Sequence, residues 1–149
     1  MDNKIDESFI LTWMSGFADG LEKLSSESRA CLLSCCAKRC ADTGVLDMQK
    51  RLYADCGNDL DMFYSRLCEL GGVSAETVEP GRRYIVRYPG CACDLHTSCG
   101  VDTPCLCECS RQSILYCACQ VTGREDISAK CLESVLFGGN ECRFEVAYG

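Results

Sequence analysis

Cysteine is the residue type through which this chain can do most of its chemistry. The sequence contains sixteen cysteines and one histidine in 149 residues. The stretch from Cys91 to Cys119 holds half of these cysteines together with the single histidine, His96. Deprotonated thiols bind zinc and iron–sulfur clusters, and they also act as nucleophiles. We therefore expect the function to depend on this stretch and on the elements that position it.

The predicted metal ligands come from three parts of the chain and are Cys36, Cys40, Cys91, Cys93, Cys107 and Cys109. Cys36 and Cys40 are one helical turn apart, and we expect them on the core side of their helix. The first Cys-x-Cys pair follows a strand, and the second lies at a helix N-terminus that favours thiolates. Four thiolates complete a tetrahedral site and six could serve a larger one, with Cys142 close by.

Zinc is the expected metal because it is redox-inert and suits tetrahedral thiolate coordination. An iron–sulfur cluster is the alternative, although the spacings differ from the C-x₂-C and C-x₄-C-x₂-C patterns of such clusters. Four thiolates on Zn²⁺ leave two negative charges. The basic residues that could offset them are Lys38, Arg39, Arg82, Arg83 and Arg87.

The remaining chemical groups give weaker signals. Cys117 and Cys119 are about 200° apart on a helix, so at most one could be a ligand. His96 stands alone, and a surface position is favoured over a role as ligand or general base. A cysteine nucleophile assisted by His96 stays open. The sequence has no phosphate-binding glycine loop and no paired-carboxylate pattern, so whether the chain is an enzyme is left open.

The redox compartment decides what the cysteines mean. The first twenty residues begin with acidic side chains, and Ser15, Gly16 and Asp19 interrupt their apolar run. We therefore expect neither a signal peptide nor a membrane span. With an initiator Met and no export signal, a reducing cytoplasm is expected, where cysteines more often bind metal or catalyse than form disulfides. A disulfide scaffold is the less favoured alternative.

Charge and length limit the partners and the architecture. The formal net charge of −7 and the pI near 4.7 have the wrong sign for coating a phosphate backbone, so no nucleic-acid partner is expected. At 149 residues the chain suits one domain, 1–149, with its own core. Its oligomeric state cannot be predicted from these properties.

Apolar periodicity predicts four helices in a helical part, 1–72, at about 6–24, 26–41, 45–55 and 58–70. The first should bury one face through residues spaced at helical intervals: Phe9, Ile10, Trp13, Phe17, Leu21 and Leu24. Ser25 or Ser26 should cap the second helix and Asn58 the fourth.

The second part, 73–149, should fold as hairpin, helix and hairpin. A strand is predicted over 82–88, a helix from Ser110 to Gln120, and a closing hairpin over 127–136 and 141–148. In the last strand Cys142 should share the inward face with Phe144. The predicted fold class is α+β, an antiparallel sheet with helices packed on it.

The closing segment Leu132–Phe144, with its Gly138-Gly139 turn and its Cys142-x-Phe144 step, resembles the 4-vinyl reductase domains and the L-2-amino-thiazoline-4-carboxylic acid hydrolase-like proteins. Cysteine-rich bacterial relatives of these proteins also share the six predicted ligands. The resemblance covers roughly residues 30–146. It implies an α+β domain that encloses a small-ligand pocket, often used for sensing, with some members assigned hydrolase activity.

Three functions follow as hypotheses. The first is a cytoplasmic, thiolate metal-binding domain, with zinc as the metal, that binds or senses a small molecule. The second is a hydrolase of a small heterocyclic or thiol-derived substrate, using metal-bound water or a cysteine nucleophile. The third is an iron–sulfur or redox protein.

Overall fold

The computed structural model of the protein describes residues 6–149 and confirms the predicted α+β class. Its helices are α1 (Glu7–Lys23), α2 (Ser26–Ala41), α3 (Val45–Asp55), α4 (Leu60–Ser65), α5 (Asp94–Thr97) and α6 (Cys107–Thr122). Its strands are β1 (Ser74–Glu79), β2 (Arg83–Tyr88), β3 (Ile127–Glu133) and β4 (Cys142–Tyr148). The strands form one antiparallel sheet in the order β1-β2-β4-β3, so the two hairpins meet between β2 and β4.

Side-chain caps fix where α2 and α4 begin. The Ser25 hydroxyl accepts a hydrogen bond from the Ser28 amide at 3.1 Å, as predicted for the start of α2. The predicted cap of α4 is wrong by one residue. Asp59 accepts from the Met62 amide at 2.8 Å, while Asn58 takes a left-handed backbone conformation with φ of 61° just before it.

One face of the sheet is buried and forms one side of the hydrophobic core. In β4 the side chains of Cys142, Phe144, Val146 and Tyr148 are buried and alternate with half-buried neighbours, which confirms the predicted inward face. The Tyr64 and Tyr84 rings stack with centroids 4.0 Å apart, and the hydroxyls of Tyr64 and Tyr148 are 2.8 Å apart. These contacts fasten α4 to the sheet, and α6 covers the same inward face.

The predicted core face of α1 is wrong for half of its members. Phe9 is 64% exposed and Trp13 is 59% exposed, whereas Leu21 is buried. Only the C-terminal half of α1 meets the rest of the core, where Leu21 packs with Val101 and Leu106. Among residues 6–149, no helix combines the length and apolarity that crossing a membrane requires.

Candidate functional site

A cavity of about 430 Å³ lies between the inward face of the sheet and helices α2, α3, α4 and α6. The cysteines in its wall are Cys40, Cys91, Cys93, Cys107, Cys109 and Cys142. The structure therefore brings five of the six predicted ligands to one cavity. The sixth, Cys36, lies one turn before Cys40 on α2 and outside the wall. Cys142 is close by, as predicted.

The start of α6 differs from the prediction and changes where its cysteines point. The Thr103 hydroxyl accepts from the Cys105 amide at 3.3 Å and caps a short 3₁₀ turn that leads directly into α6. The helix consequently begins at Cys107 rather than at Ser110. Cys107 and Cys109 therefore both belong to the helix. Residues that are two positions apart on a helix point in directions about 200° apart. These two thiols cannot serve one ion as a Cys-x-Cys pair.

One set of thiols gathers on the sheet side of α6. We call Cys91, Cys107, Cys131 and Cys142 the inner thiol group. The Cys107 sulfur lies 2.8 Å from the hydroxyl of Ser134, which is completely buried. Burial raises the pKa of Cys107 to about 11 despite the Ser134 hydrogen bond, and the neighbouring Cys131, Cys142 and Cys91 add to the rise.

A second set of thiols gathers on the α2 side of α6. We call Cys36, Cys40, Cys93 and Cys109 the outer thiol group. Burial, followed by the proximity of the other three thiols, raises the pKa of Cys109 to about 12. Cys36 and Cys40 are exposed, so this group opens to solvent.

The exposure of the α2 cysteines corrects a sequence prediction. The buried face of α2 consists of Leu33, Ala37 and Ala41. Cys36 is adjacent in sequence to Ala37 and thus about 100° away around the helix. It lies at the edge of the core face, where the helical angle alone could not decide between core and solvent.

Neither thiol group is arranged as a finished metal site. Within the described part of the chain, no three cysteine, histidine, aspartate or glutamate side chains stand so that they could hold a metal ion. The donors suit zinc chemically, but binding requires the thiols to lose protons and their sulfurs to turn towards one another. Each cysteine sulfur is one torsion from the backbone, so a change of rotamer is enough to move it.

Among residues 6–149, the cavity wall carries no ionisable side chain other than cysteine and tyrosine. None of the basic residues predicted to offset a thiolate site is in the part of this wall that residues 6–149 form. Arg87 pairs with Glu76 at 2.6 Å, and the Lys38 ammonium sits 5.9 Å from the centre of the Tyr116 ring. Arg82 and Arg83 both pair with Glu79 on the exposed side of the first hairpin. The cavity is thus suited to an uncharged occupant.

His96 lies in α5, away from the cavity wall. Its Nδ1 donates to the Val101 carbonyl oxygen at 2.9 Å, which holds the ring against the loop that follows α5. Within residues 6–149, no hydrogen bond joins this imidazole to a cavity thiol. The structure therefore offers no support for the cysteine nucleophile assisted by His96.

Two residues of the site were missed in the sequence. Cys131 follows Ala129 on the inward face of β3, and Ser134 comes directly after that strand. The alternation of β3 could have marked Cys131 as inward-facing. Nothing in the sequence indicated that Ser134 contacts Cys107, because the two residues are 27 positions apart.

The comparisons with known proteins add no relative. No model of a known protein family matches the chain, and no curated protein matches it either. The resemblance to the 4-vinyl reductase domains remains a prediction from the quoted motifs.

Proposed function

We propose that this domain binds an uncharged small molecule in its cavity and holds a zinc ion through the outer thiol group. The observation that carries the proposal is the cavity itself, about 430 Å³ in volume, where cysteines from α2, α6 and the 91–93 segment meet. That volume falls in the range of roughly 300–1,000 Å³ usual for small-ligand sites. A binding or sensing domain of a reducing cytoplasm fits these features best.

The outer thiol group is the favoured metal site because it tolerates charge. Four thiolates on Zn²⁺ leave two negative charges, which are costly to bury without compensation. Cys36 and Cys40 are exposed, so water can solvate such a complex. Lys38 and Arg39 occupy the last turn of the same helix and add positive charge near it. Zinc is preferred over an iron–sulfur cluster for the chemical reasons of redox inertness and tetrahedral geometry.

The cavity wall defines the kind of ligand. An ionised group placed there would lose its hydration without gaining a charged partner, which is strongly unfavourable. Aromatic side chains form part of the wall, with Tyr88 and Phe144 edge to face at 6.3 Å between ring centroids. Serine hydroxyls, including that of Ser134, give it a few polar points. An apolar molecule with one or two neutral polar groups suits this surface.

Binding is proposed rather than catalysis. Histidine, aspartate and glutamate are the usual groups that move protons in active sites, and none of them lines the cavity in the described chain.

Metal analysis tests the zinc assignment. Protein purified reduced and without chelator should contain at least about one zinc ion per chain. The double variant Cys36→Ser, Cys40→Ser should lose about one ion per chain, while Cys31→Ser, Cys35→Ser should lose none. The control removes two exposed thiols of the same helix that belong to neither group. Equal zinc content in all three proteins would count against the proposal.

Ligand binding is tested with two dyes of matched shape. N-Phenyl-1-naphthylamine is uncharged, and 8-anilinonaphthalene-1-sulfonate adds a sulfonate to the same skeleton. The uncharged dye should bind at least about tenfold more tightly, since only the sulfonate must be desolvated without a partner. Ser113→Phe, which enlarges a cavity-wall residue, should weaken it, whereas Gln120→Phe on the exposed side of α6 should not. Failure of the uncharged dye to bind, or the same affinity in both variants, argues against a ligand cavity.

A further inference from the structure

Three phenol groups in the cavity wall have no role in the proposed function. We call Tyr64, Tyr88 and Tyr148 the tyrosine group, and all three residues line the cavity. We infer that this group donates hydrogen bonds to the ligand, which is a neutral molecule carrying a carbonyl or a similar oxygen acceptor. The inference rests on the ligand cavity of the proposed function and deepens it by naming the polar group of the ligand. It does not depend on the zinc site.

Two strands and one helix place these phenols in the cavity. Tyr88 and Tyr148 lie on the inward faces of β2 and β4, where Tyr88 is opposite Cys142 across the sheet. Tyr64 comes from α4, and its ring meets that of Tyr148 edge to face with 6.3 Å between centroids. The ring of Tyr84 stacks on that of Tyr64 at 4.0 Å and so fixes its position. The tyrosine group is therefore held by packing before any ligand enters.

The pair of Tyr64 and Tyr148 has one proton more than it can use. Their hydroxyl oxygens are 2.8 Å apart, so one hydroxyl donates to the other. Within residues 6–149 neither hydroxyl makes a second hydrogen bond, which leaves one O–H without an acceptor on the protein. Tyr64 is 4% exposed and Tyr148 is 3% exposed, so we expect the acceptor in the cavity that both residues line. Leaving a buried donor unpaired is unfavourable, and an oxygen acceptor on the ligand would pair it.

Tyr88 supplies a second donor. Its ring packs edge to face against that of Phe144, and its hydroxyl makes no hydrogen bond within residues 6–149. In that part of the chain, the fully enclosed side-chain nitrogen and oxygen atoms without a hydrogen-bond partner are the Nε atoms of Arg87 and Arg143. The Tyr88 oxygen is not among them, so it borders open space, and the cavity is the space that Tyr88 lines. Its O–H is therefore available to a ligand.

Burial keeps all three phenols neutral. It raises the pKa of Tyr88 and that of Tyr148 to about 12, and it raises the pKa of Tyr64 well above the usual value. Each group therefore keeps its proton at neutral pH and donates without bearing charge. A neutral carbonyl or amide oxygen suits such donors, because a carboxylate would lose its hydration with no cationic group in the wall formed by residues 6–149. A pure hydrocarbon would leave the protons unpaired.

A ketone dye and its hydrocarbon analogue test the inference on the full chain. 6-Propionyl-2-(dimethylamino)naphthalene is uncharged and has one carbonyl, and its 6-propyl analogue has a methylene in place of that carbonyl. Fluorescence titration measures the affinity of the ketone, and competition with the ketone measures that of the analogue.

Removing the hydroxyls should weaken only the ketone. Tyr88→Phe should lower its affinity at least about threefold, the loss of one neutral hydrogen bond, and leave that of the analogue within about twofold. The double variant Tyr64→Phe, Tyr148→Phe, which removes the spare proton of the pair, should do the same. Tyr116→Phe is the matched control, since its hydroxyl bonds to Asp42 outside the cavity wall, and it should change neither affinity.

The outcomes separate this inference from the proposed function. A ketone that is selectively weakened by the cavity-wall variants supports the inference. Equal affinities in all proteins, equal weakening of both dyes, or binding of an uncharged dye without the ketone overturns it and leaves the ligand cavity in place. Failure of both dyes and of N-phenyl-1-naphthylamine to bind removes the proposed ligand cavity and the inference together.

A measurement on wild type covers the case in which a variant does not fold. The carbonyl stretch of the bound ketone, isotopically labelled at the carbonyl carbon, is recorded by infrared difference spectroscopy. It should lie at a lower frequency than in hexane, because an accepted hydrogen bond weakens the C=O bond. A frequency equal to that in hexane shows a carbonyl without a donor and contradicts the inference.

Discussion

The inner and outer thiol groups differ in their exposure to solvent, although both consist of cysteines. Cys91 and Cys107 of the inner group are each only two positions from Cys93 and Cys109 of the outer group. The outer group contains Cys36 and Cys40 on a helix surface, in contact with water. The inner group contains Cys107 and Cys142, each 8% exposed, between α6 and the sheet. The comparison teaches that cysteine spacing alone does not define a metal site. The helix period and the solvent on each side decide which sulfurs act together.

Replacing one thiol of each group by a carboxylate should give the largest contrast. Cys142→Asp places an acidic group on the inward face of β4 without a charged partner, and it should cost about 3 kcal/mol or more in free energy of unfolding. Cys36→Asp lies in solvent and should change that free energy by about 0.5 kcal/mol or less. Urea unfolding of the metal-free proteins measures both. A similar loss of free energy of unfolding in the two variants would contradict the difference in burial between the groups.

The Ser134 hydroxyl should contribute a smaller, measurable stabilisation on the inner side. It contacts the Cys107 sulfur at 2.8 Å and accepts from the Leu136 amide at 3.1 Å. Ser134→Ala removes the hydroxyl that makes both contacts and leaves the Leu136 amide and the Cys107 thiol without this partner. Because the site is fully buried, the substitution should lower the free energy of unfolding by about 1–2 kcal/mol. Ser34→Ala on α2 loses only a bond to its own helix, so it should be neutral or stabilising by about 0.5 kcal/mol. Urea unfolding of these two variants distinguishes a buried cap from a general effect of losing serine.

A buried thiol outside both groups, Cys117, tests how burial affects stability at alkaline pH. Burial, followed by the charges of Asp42 and Cys40 and opposed by a hydrogen bond from Ser113, raises the pKa of Cys117 from 9.0 to about 11. Because the folded pKa is raised, the stability that this thiol contributes is present below pH 9 and is lost as the pH rises towards 11. In metal-free protein, Cys117→Ser should therefore show a shallower loss of stability than wild type between these pH values.

The control for the pH series is Cys31→Ser, which removes an exposed thiol of α2. Its stability should fall with pH as steeply as that of wild type, measured by urea unfolding at each pH. A parallel decline in wild type and Cys117→Ser would show that burial of this thiol does not govern the alkaline loss.

The local sequence pattern predicted most of the helices and strands. It did not predict which face of α1 is buried or where α6 begins. The helices α1 to α3, the strand β2 and the inward face of β4 followed from periodicity and caps. The buried face assigned to α1 was wrong because periodicity shows an apolar stripe without showing what covers it. The start of α6 was wrong because a turn capped by Thr103 carries the chain into the helix three residues early.

The candidate site was predictable as chemistry and only in part as geometry. Five of the six cysteines named from the sequence line the cavity, because local signals placed the second helix and the strand that leads to Cys91, and predicted a helix after Pro104. Their division into two groups was not foreseen, since it follows from the true first residue of α6. Cys131 joins the inner group only through its pairing with Phe144 across the sheet.

By itself the sequence determined that this protein is an α+β chain rich in thiols. Helical and strand periodicity depend on residues only a few positions apart, so they can be recognised without the tertiary structure. Tertiary structure alone decided which thiols are buried, which face water and which charges stay away from the cavity. The reason is that burial and electrostatic environment depend on elements distant in sequence, brought together by sheet register and helix packing. Cys107 and Ser134, 27 positions apart and in contact, are the clearest instance.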